Sequence, residues 1–313
     1  MADLTTRQPA TGRAVPSPPP ARSRRARRNM LIGWSFILPN FLGFALLTLL
    51  PVAGALALSF MEWDSYNPPE WVGLDNFERL LRDESTKIAL RNTASYALGH
   101  VPLTMLAALG LALLLNRRLA GIGFFRAAAF FPYVTSMVAV AVVWNMLFNP
   151  QLGPVNQFLQ FLGVESPPGW TTSVTWAMPA VILTSVWRDM GYYMVLFLAG
   201  LQAIPTEHYE AAKVDGAGAW QRFRAVTLPG LRPVTFLVLI LLTVQSFKVF
   251  DLIVVMTDGG PGRATLVLSQ QIYRKGILDG EFGYASAISL VLFLLVLVFT
   301  LAQFWFNDRR ERS

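Results

Sequence analysis

The sequence predicts an all-α, polytopic membrane protein with six transmembrane helices and both termini in the cytoplasm. Three observations carry this. The 313 residues are 54% hydrophobic and only 14% charged, where a soluble domain carries roughly a quarter charged residues, and the mean hydropathy is +0.45. Six apolar stretches reach the roughly 20 residues that a helix needs to cross the hydrocarbon. The segments between them alternate in basic charge.

Residues 1–29 form a first zone. They hold seven arginines and the prolines Pro16, Pro18, Pro19 and Pro20 with almost no aliphatic side chains, a composition that predicts a disordered basic cytoplasmic tail. The apolar run that follows continues for nearly thirty residues without a cleavage site, so it reads as a retained span rather than a signal peptide. The spans fall near 31–60, 93–115, 128–148, 176–202, 232–256 and 285–306, making 30–306 one membrane domain and 307–313 a short cytoplasmic C-terminal tail. The third span carries Pro132, and Arg188 and Asp189 interrupt the fourth. Backbone groups freed at such breaks need partners from neighbouring helices or water.

Orientation follows from charge. The tail, the 116–127 and 203–232 loops and the C-terminus hold 17 basic residues, the opposite loops hold 7, and Arg188 and Lys248 sit within spans. The positive-inside rule puts the richer side in the cytoplasm. The net charge of +7 is explained by these loops, so a nucleic-acid partner is not expected. With no cysteine, disulfides, thiolate metal sites and cysteine nucleophiles are excluded. His100 and His208 lie far apart and in no metal-ligand spacing.

Two outer loops have local patterns. In Asp75 to Leu81, Asp75 and Glu78 have the spacing of an N-cap and its reciprocal partner. Phe77, Leu80 and Leu81 share one face, which predicts a short surface helix. It either caps the bundle or receives a partner. Thr257-Asp-Gly-Gly-Pro-Gly262 is a turn signal.

The loop 203–232 is too long for a simple reversal between spans. Pro205 ends the fourth span, Thr206 is placed to N-cap a new helix, and Glu207 stands in its first turn. Gly216 and Gly218 break that helix. A second helix runs from Ala219 to about Val226, carries Trp220 and Phe223, and stops at Leu228-Pro229. The product is a helix–turn–helix on the cytoplasmic face, with Glu210 as a possible ion-pair partner for something docked there.

Glu210-Ala211-Ala212, then three residues, then Gly216, and later Leu228-Pro229, resembles the EAA motif of binding-protein-dependent ABC importer permeases. Val72-Gly-Leu-Asp-Asn-Phe77, Phe131-Pro132, Leu201-Gln-Ala-Ile-Pro205 and Thr257-Asp-Gly-Gly-Pro261 are similar to signatures of the sugar-importer, maltose-type branch. The resemblance covers about residues 31–306 and implies the type I ABC importer permease fold. It also implies that Glu210, Ala211, Ala212, Asp215, Gly216, Leu228 and Pro229 couple the chain to a cytoplasmic ATP-binding subunit dimer. No Gly-x-x-x-x-Gly-Lys-Ser/Thr occurs in the chain. The chain is therefore expected to be no enzyme and to bind no cofactor, with ATP and Mg used by the partner ATPase. One EAA loop offers half of the docking surface of a symmetric ATPase dimer, so a second EAA-containing permease subunit is expected, as a heterodimer. An extracytoplasmic solute-binding protein would deliver a sugar, and the location would be the bacterial cell membrane.

Ionisable groups inside spans cost roughly 2.5–3.5 kcal/mol each on insertion scales, and they face a cavity or one another. Lys248 and Asp251 stand three apart, at pairing distance on one helix. Mutual neutralisation is one reading. The other is that Asp189, Gln245 and Ser246 present polar groups to a hydroxylated substrate, with Tyr133 and Tyr192 as aromatic faces. Aligned on the shared landmarks, Tyr133, Asp189, Tyr192, Leu242, Gln245, Ser246 and Val249 fall where the maltose permease lines its substrate path. Two alternatives stay open: an ion-gradient-driven secondary transporter, which leaves the EAA loop unexplained, and an importer permease for glycerol phosphate or a polyol.

Overall fold

A computed structural model describes residues 22–117 and 120–311 of the chain. Most of the tail expectation (1–21), Arg118 and Arg312 lie outside these. Two compact units divide at Gly54 and Ala55. In the first, α1 (Arg22–Phe44) already begins within the basic run and is followed by a π-helical turn, Ala45–Leu49. The helix continues as α2 (Leu50–Leu58). Ile32–Leu58 is apolar enough to cross a membrane, with a hydropathy of 2.2.

The second unit opens on a short hairpin, β1 (Met61–Glu62) pairing antiparallel with β2 (Glu70–Trp71). It continues through α3 (Asp75–Arg82), the long α4 (Glu84–Leu115), α5 (Ile122–Val134), α6 (Met137–Leu147), α7 (Pro154–Phe161) and α8 (Ala177–Ala203). The cytoplasmic loop supplies α9 (Thr206–Val214), α10 (Ala219–Arg222), a π turn (Phe223–Thr227) and α11 (Leu228–Gly230). Then come α12 (Arg232–Phe247), α13 (Asp251–Met256), α14 (Leu268–Tyr273), a third π turn (Arg274–Leu278) and α15 (Phe282–Glu311).

Four helices are continuous candidates for spans, and two bent pairs bring the number to six if each pair is one span. The third span is α5 and α6, meeting at 98° across Thr135 and Ser136. The fifth does not run unbroken to 256: Ala219–Gly230 bends by 64° into α12, and α12 itself ends at Phe247 before the separate α13. Conversely, Arg188 and Asp189 do not break the fourth span, because α8 is continuous through both. They interrupt its hydropathy only, and neither side chain disturbs the i→i−4 ladder.

Small residues bring α8 to the centre. Half of its most apolar 18-residue window is buried, against 17% for α15. Ala89, Ala97, Ala108 and Ala112 form the buried side of α4, and a Cβ on Gly99 would lie 2.7 Å from Ile182 Cδ1. Close approach through small residues is the usual basis of helix association in a bilayer, where apolar burial between helices gives no net drive. On another side of α8, Gly191 lies directly against the backbone of Ala129 and Phe130 in α5. Gln303 Nε2 donates to Thr243 Oγ1 at 2.7 Å, tying α15 to α12.

The outer surface is stitched by side chains. Asp75 is not an N-cap: Leu74 occupies that position, and Asp75 and Glu78 lie in the first turn of α3, which suits the helix dipole. Buried Asn76 holds the segment instead, donating through Nδ2 to Ser59 O and Met61 O at 3.1 and 2.9 Å. Arg79 grips Glu281 with two hydrogen bonds of 2.9 and 2.8 Å. Asp83 accepts from Thr86 Oγ1, Tyr284 Oη and Ser85 N. Burial pushes its carboxyl up, but these donors together outweigh burial and hold it below the usual range. The Thr257–Gly262 turn is present, with Gly259 and Gly262 at φ +79° and +54°, and Asn92 Nδ2 clamps it to α4 through Arg263 O and Leu266 O.

Two outcomes test this packing. Gly191→Ala forces a methyl into the α5 backbone and should destabilise by about 1–3 kcal/mol or more. Gly123→Ala, which meets nothing within 4 Å, should not, and thermal melts of the purified protein compare them. Asp83→Asn should lower the melting temperature at neutral pH. A depressed carboxyl stabilises above the unfolded pKa of about 3.9 and loses that contribution as pH falls through the folded value. The gap between variant and wild type should therefore close below about pH 4.

Candidate functional site

The 203–232 loop is a closed helical handle. Its first helix starts at Thr206 with Pro205 at the N-cap and no side-chain cap, so Thr206 is a first-turn residue rather than the cap. At the other end the backbone closes a Schellman motif. Ala217 N–H donates to Ala212 O at 2.9 Å, and Gly216 N–H to Lys213 O at 3.0 Å, with Gly216 at φ +78°. That left-handed position strains any residue with a Cβ, which explains a glycine four residues after Ala212. Gly218 N–H donates to Gln221 Oε1 at 2.7 Å to start α10. Tyr209 Oη and Thr227 Oγ1, 3.1 Å apart, cross-link the two limbs.

Leu228-Pro229 does not stop the second limb. The helix passes through it to Gly230, after a π turn in which Leu228 N–H reaches Phe223 O. A proline ring clashes with the carbonyl four residues back, and widening the turn just ahead of Pro229 relieves that contact. The same arrangement precedes Pro51, where Leu50 N–H bonds Ala45 O. The chain bends at buried Leu231.

The handle presents Glu210, Ala211, Asp215 and Gly216 as exposed, Ala212 and Pro229 as half-buried, and Leu228 as 40% exposed. Glu210 makes no ion pair among the described residues, and Trp220, stacked on Phe223 at 5.4 Å, is 71% exposed. Between the handle and the membrane helices lies a groove of about 630 Å³. Ala211, Ala212 and Asp215 line it from α9, Pro229 and Gly230 from α11, and Ile204 and Val234 from the helix ends.

A second cluster lies inside the bundle. Asp189, 4% exposed, accepts from Arg188 Nη1 at 2.7 Å and meets His100 Nε2 at 3.1 Å. The other nitrogen of His100, Nδ1, lies 2.9 Å from Ser246 Oγ, which also donates to Leu242 O. Tyr96 Oη donates to Ser185 Oγ at 2.8 Å, and its ring stacks on His100 at 5.2 Å. Thus α4, α8 and α12 are joined through polar atoms. Arg188 also donates to Tyr133 O at 3.2 Å and stands 5.0 Å from the Tyr133 ring, which stacks on Tyr192 at 4.4 Å.

Of the seven predicted path residues, Tyr133 and Tyr192 are half-buried and adjacent, and Gln245 is exposed. Asp189, Leu242, Ser246 and Val249 face the interior of the chain. Lys248 and Asp251 do not neutralise each other. Lys248 closes α12, Asp251 opens α13, and the break between them removes the helical register that would pair them. The sequence reading assigned His100 no chemistry. Its signal was available in the polar stripe Thr93, Tyr96, His100 and Thr104, spaced three or four apart along an otherwise apolar span.

Residues 105–312 match the family model described as "Binding-protein-dependent transport system inner membrane component". The chain is 37% identical over 287 residues to the probable ABC transporter permease protein YesP of Bacillus subtilis (strain 168), covering 90% of this chain and 92% of the relative. It is 37% identical over 280 residues to the trehalose/maltose transport system permease protein MalF of Thermococcus litoralis, covering 89% and 94%. Among solved structures it resembles a chain of a bacterial ABC transporter involved in the import of the acidic polysaccharide alginate. That likeness has a TM-score of 0.77 and 25% identity, over 91% of this chain and 98% of the other.

Removing one member of the buried ion pair leaves the other unmatched. Asp189→Ala should cost about 3–5 kcal/mol, read as a lowered melting temperature. The Arg188→Ala/Asp189→Ala double variant should recover part of that loss.

Proposed function

The chain belongs to the binding-protein-dependent transport system inner membrane components, and from that premise we propose that it is one of two permease subunits of an ATP-driven sugar importer. It is a multi-pass membrane protein and a transport subunit. Relatives named for trehalose and maltose import and a structural neighbour named for alginate import support a sugar cargo.

The observation that carries the coupling role is the cytoplasmic handle. It is locked at Gly216 by the Schellman motif and across its limbs by Tyr209 and Thr227. A part that passes a domain motion into the bundle must move as a rigid body. Exposed Glu210, without an ion-pair partner among the described residues, and the apolar Trp220 face are what a basic, partly apolar cleft on an ATPase would grip. Ala211, Ala212 and Asp215 complete the gripped surface, and Leu228 and Pro229 pass the motion on to Leu231 and α12. The absence of a phosphate-binding loop in the sequence assigns ATP and Mg to a separate ATPase dimer. One handle per chain calls for a second, related permease subunit.

On the outer side, the hairpin and α3, held to α15 through Arg79 and Glu281, form a firm platform for a solute-binding protein. In the membrane, Tyr133, Tyr192 and Gln245 face the substrate path. Asp189, Leu242, Ser246 and Val249 position them from behind, since a stacked tyrosine pair offers the apolar surface that a sugar ring's faces require.

The test is co-purification and uptake. Glu210→Lys should weaken ATPase binding by about 2 kcal/mol or more and abolish sugar-stimulated ATP hydrolysis while the permease still folds. Glu207→Lys, one turn away, should leave the ATPase bound. Gradient-driven sugar uptake by this chain alone in liposomes would overturn the reading.

A further inference from the structure

Resting on the importer reading, we propose that Lys248 and Asp251 line the outer half of the translocation path, where their opposite charges set which solutes pass. Sixteen helical residues separate Arg232, at the cytoplasmic end of α12, from Lys248, a rise of about 24 Å within a hydrocarbon core of about 30 Å. Lys248 therefore stands at membrane depth, with Asp251 three residues on at the start of α13.

Their surroundings differ from those of the other intramembrane charges. Asp189 is buried and Arg188 half-buried, and the two are paired, whereas Lys248 and Asp251 are both exposed and make no ion pair among the described residues. They also lie on the outward side of the element. Leu242, Ser246 and Val249 point into the bundle, and Leu241, Gln245 and Lys248, three or four residues apart, form an exposed stripe about 100° further round. Lipid cannot cover that stripe, because unpaired charges facing hydrocarbon are among the costliest arrangements in a membrane.

The backbone points the same way. At Lys248 the helix tightens, with Lys248 N–H bonding Gln245 O at 3.1 Å, and at Phe250 it leaves helical geometry (φ −143°, ψ −67°). Non-helical backbone at membrane depth is tolerated inside protein or beside a water-filled cavity. A dry interface with the second subunit would desolvate two charges that do not neutralise each other, so the water-filled side is favoured.

The native chain contains no cysteine, so Lys248→Cys and Asp251→Cys each introduce the sole thiol of this subunit. The assembled transporter in membranes is treated with membrane-impermeant methanethiosulfonates, one anionic and one cationic, and modification is read as a mass shift on this chain. Both variants should label about tenfold or more faster than Phe293→Cys, a control at an exposed apolar position of α15. The anionic reagent should be favoured at Asp251→Cys, where Lys248 remains, and the cationic one at Lys248→Cys, where Asp251 remains. Labelling no faster than the control, or the same reagent preference at both positions, overturns the proposal. Labelling needs neither sugar nor ATP, so a transporter that labels as expected yet imports no sugar would sink the importer reading and leave the path assignment standing.

Discussion

Burying Asp189 in the centre of the bundle obliges the chain to meet its charge from within, and the intramembrane architecture depends on how it does so. Arg188 supplies the counter-charge from the same helix, but two charges alone rarely recover their desolvation. His100 and Ser246 extend the partnership to α4 and α12, so both carboxylate oxygens of Asp189 are engaged, while Arg188 Nε stays without a hydrogen-bond partner. The cluster can be this compact because α8 approaches its neighbours through small residues: Gly191 against α5, Gly99 of α4 against Ile182, and alanines along the buried side of α4. Close packing brings polar atoms within 3.1 Å, and the polar contacts then fix the register that apolar contacts between membrane helices specify only weakly.

The same cluster links regions that lie far apart in sequence. Arg188 reaches the backbone and ring of Tyr133, and Ser246 sits on α12, which leads from the cytoplasmic handle through Leu231. A displacement of the handle is applied to the base of α12. That helix carries Ser246 against His100 and, about 100° further round, the exposed Gln245. The π turn before Pro229 keeps the second limb helical up to the bend, so the motion is not lost in a loose connection.

Much of this was legible in the sequence, for identifiable reasons. Length and hydropathy located the spans because the bilayer imposes a minimum apolar length. The left-handed requirement at Gly216 and the turn at Thr257–Gly262 are written in glycine, the residue that local geometry demands. What escaped were features set by tertiary context. Asp75 has the spacing of an N-cap, yet Leu74 takes the position because Asn76 is drawn inward by the carbonyls of Ser59 and Met61. Arg188 and Asp189 look like a helix break because charge lowers hydropathy, but a paired charge leaves the backbone ladder intact. Lys248 and Asp251 have pairing spacing only if the helix continues, and nothing local announces the break at Phe250. The substrate path was the least legible part, since which side of α12 is left exposed depends on its packing against α4, α8 and α15.

That dependence is itself physical. A membrane subunit can satisfy a polar group within its own fold or leave it open on its surface. Asp189 and Lys248 show the two solutions side by side on neighbouring helices. The first charge is enclosed and gives the subunit a defined core. The second is left open at a broken helix, where the backbone as well as the side chain needs water. Enclosing both would give a tighter subunit with no route through it, and exposing both would leave α8 without the polar joint that holds α4 and α12 in place. The division between them separates what keeps the subunit folded from what it contributes to the path.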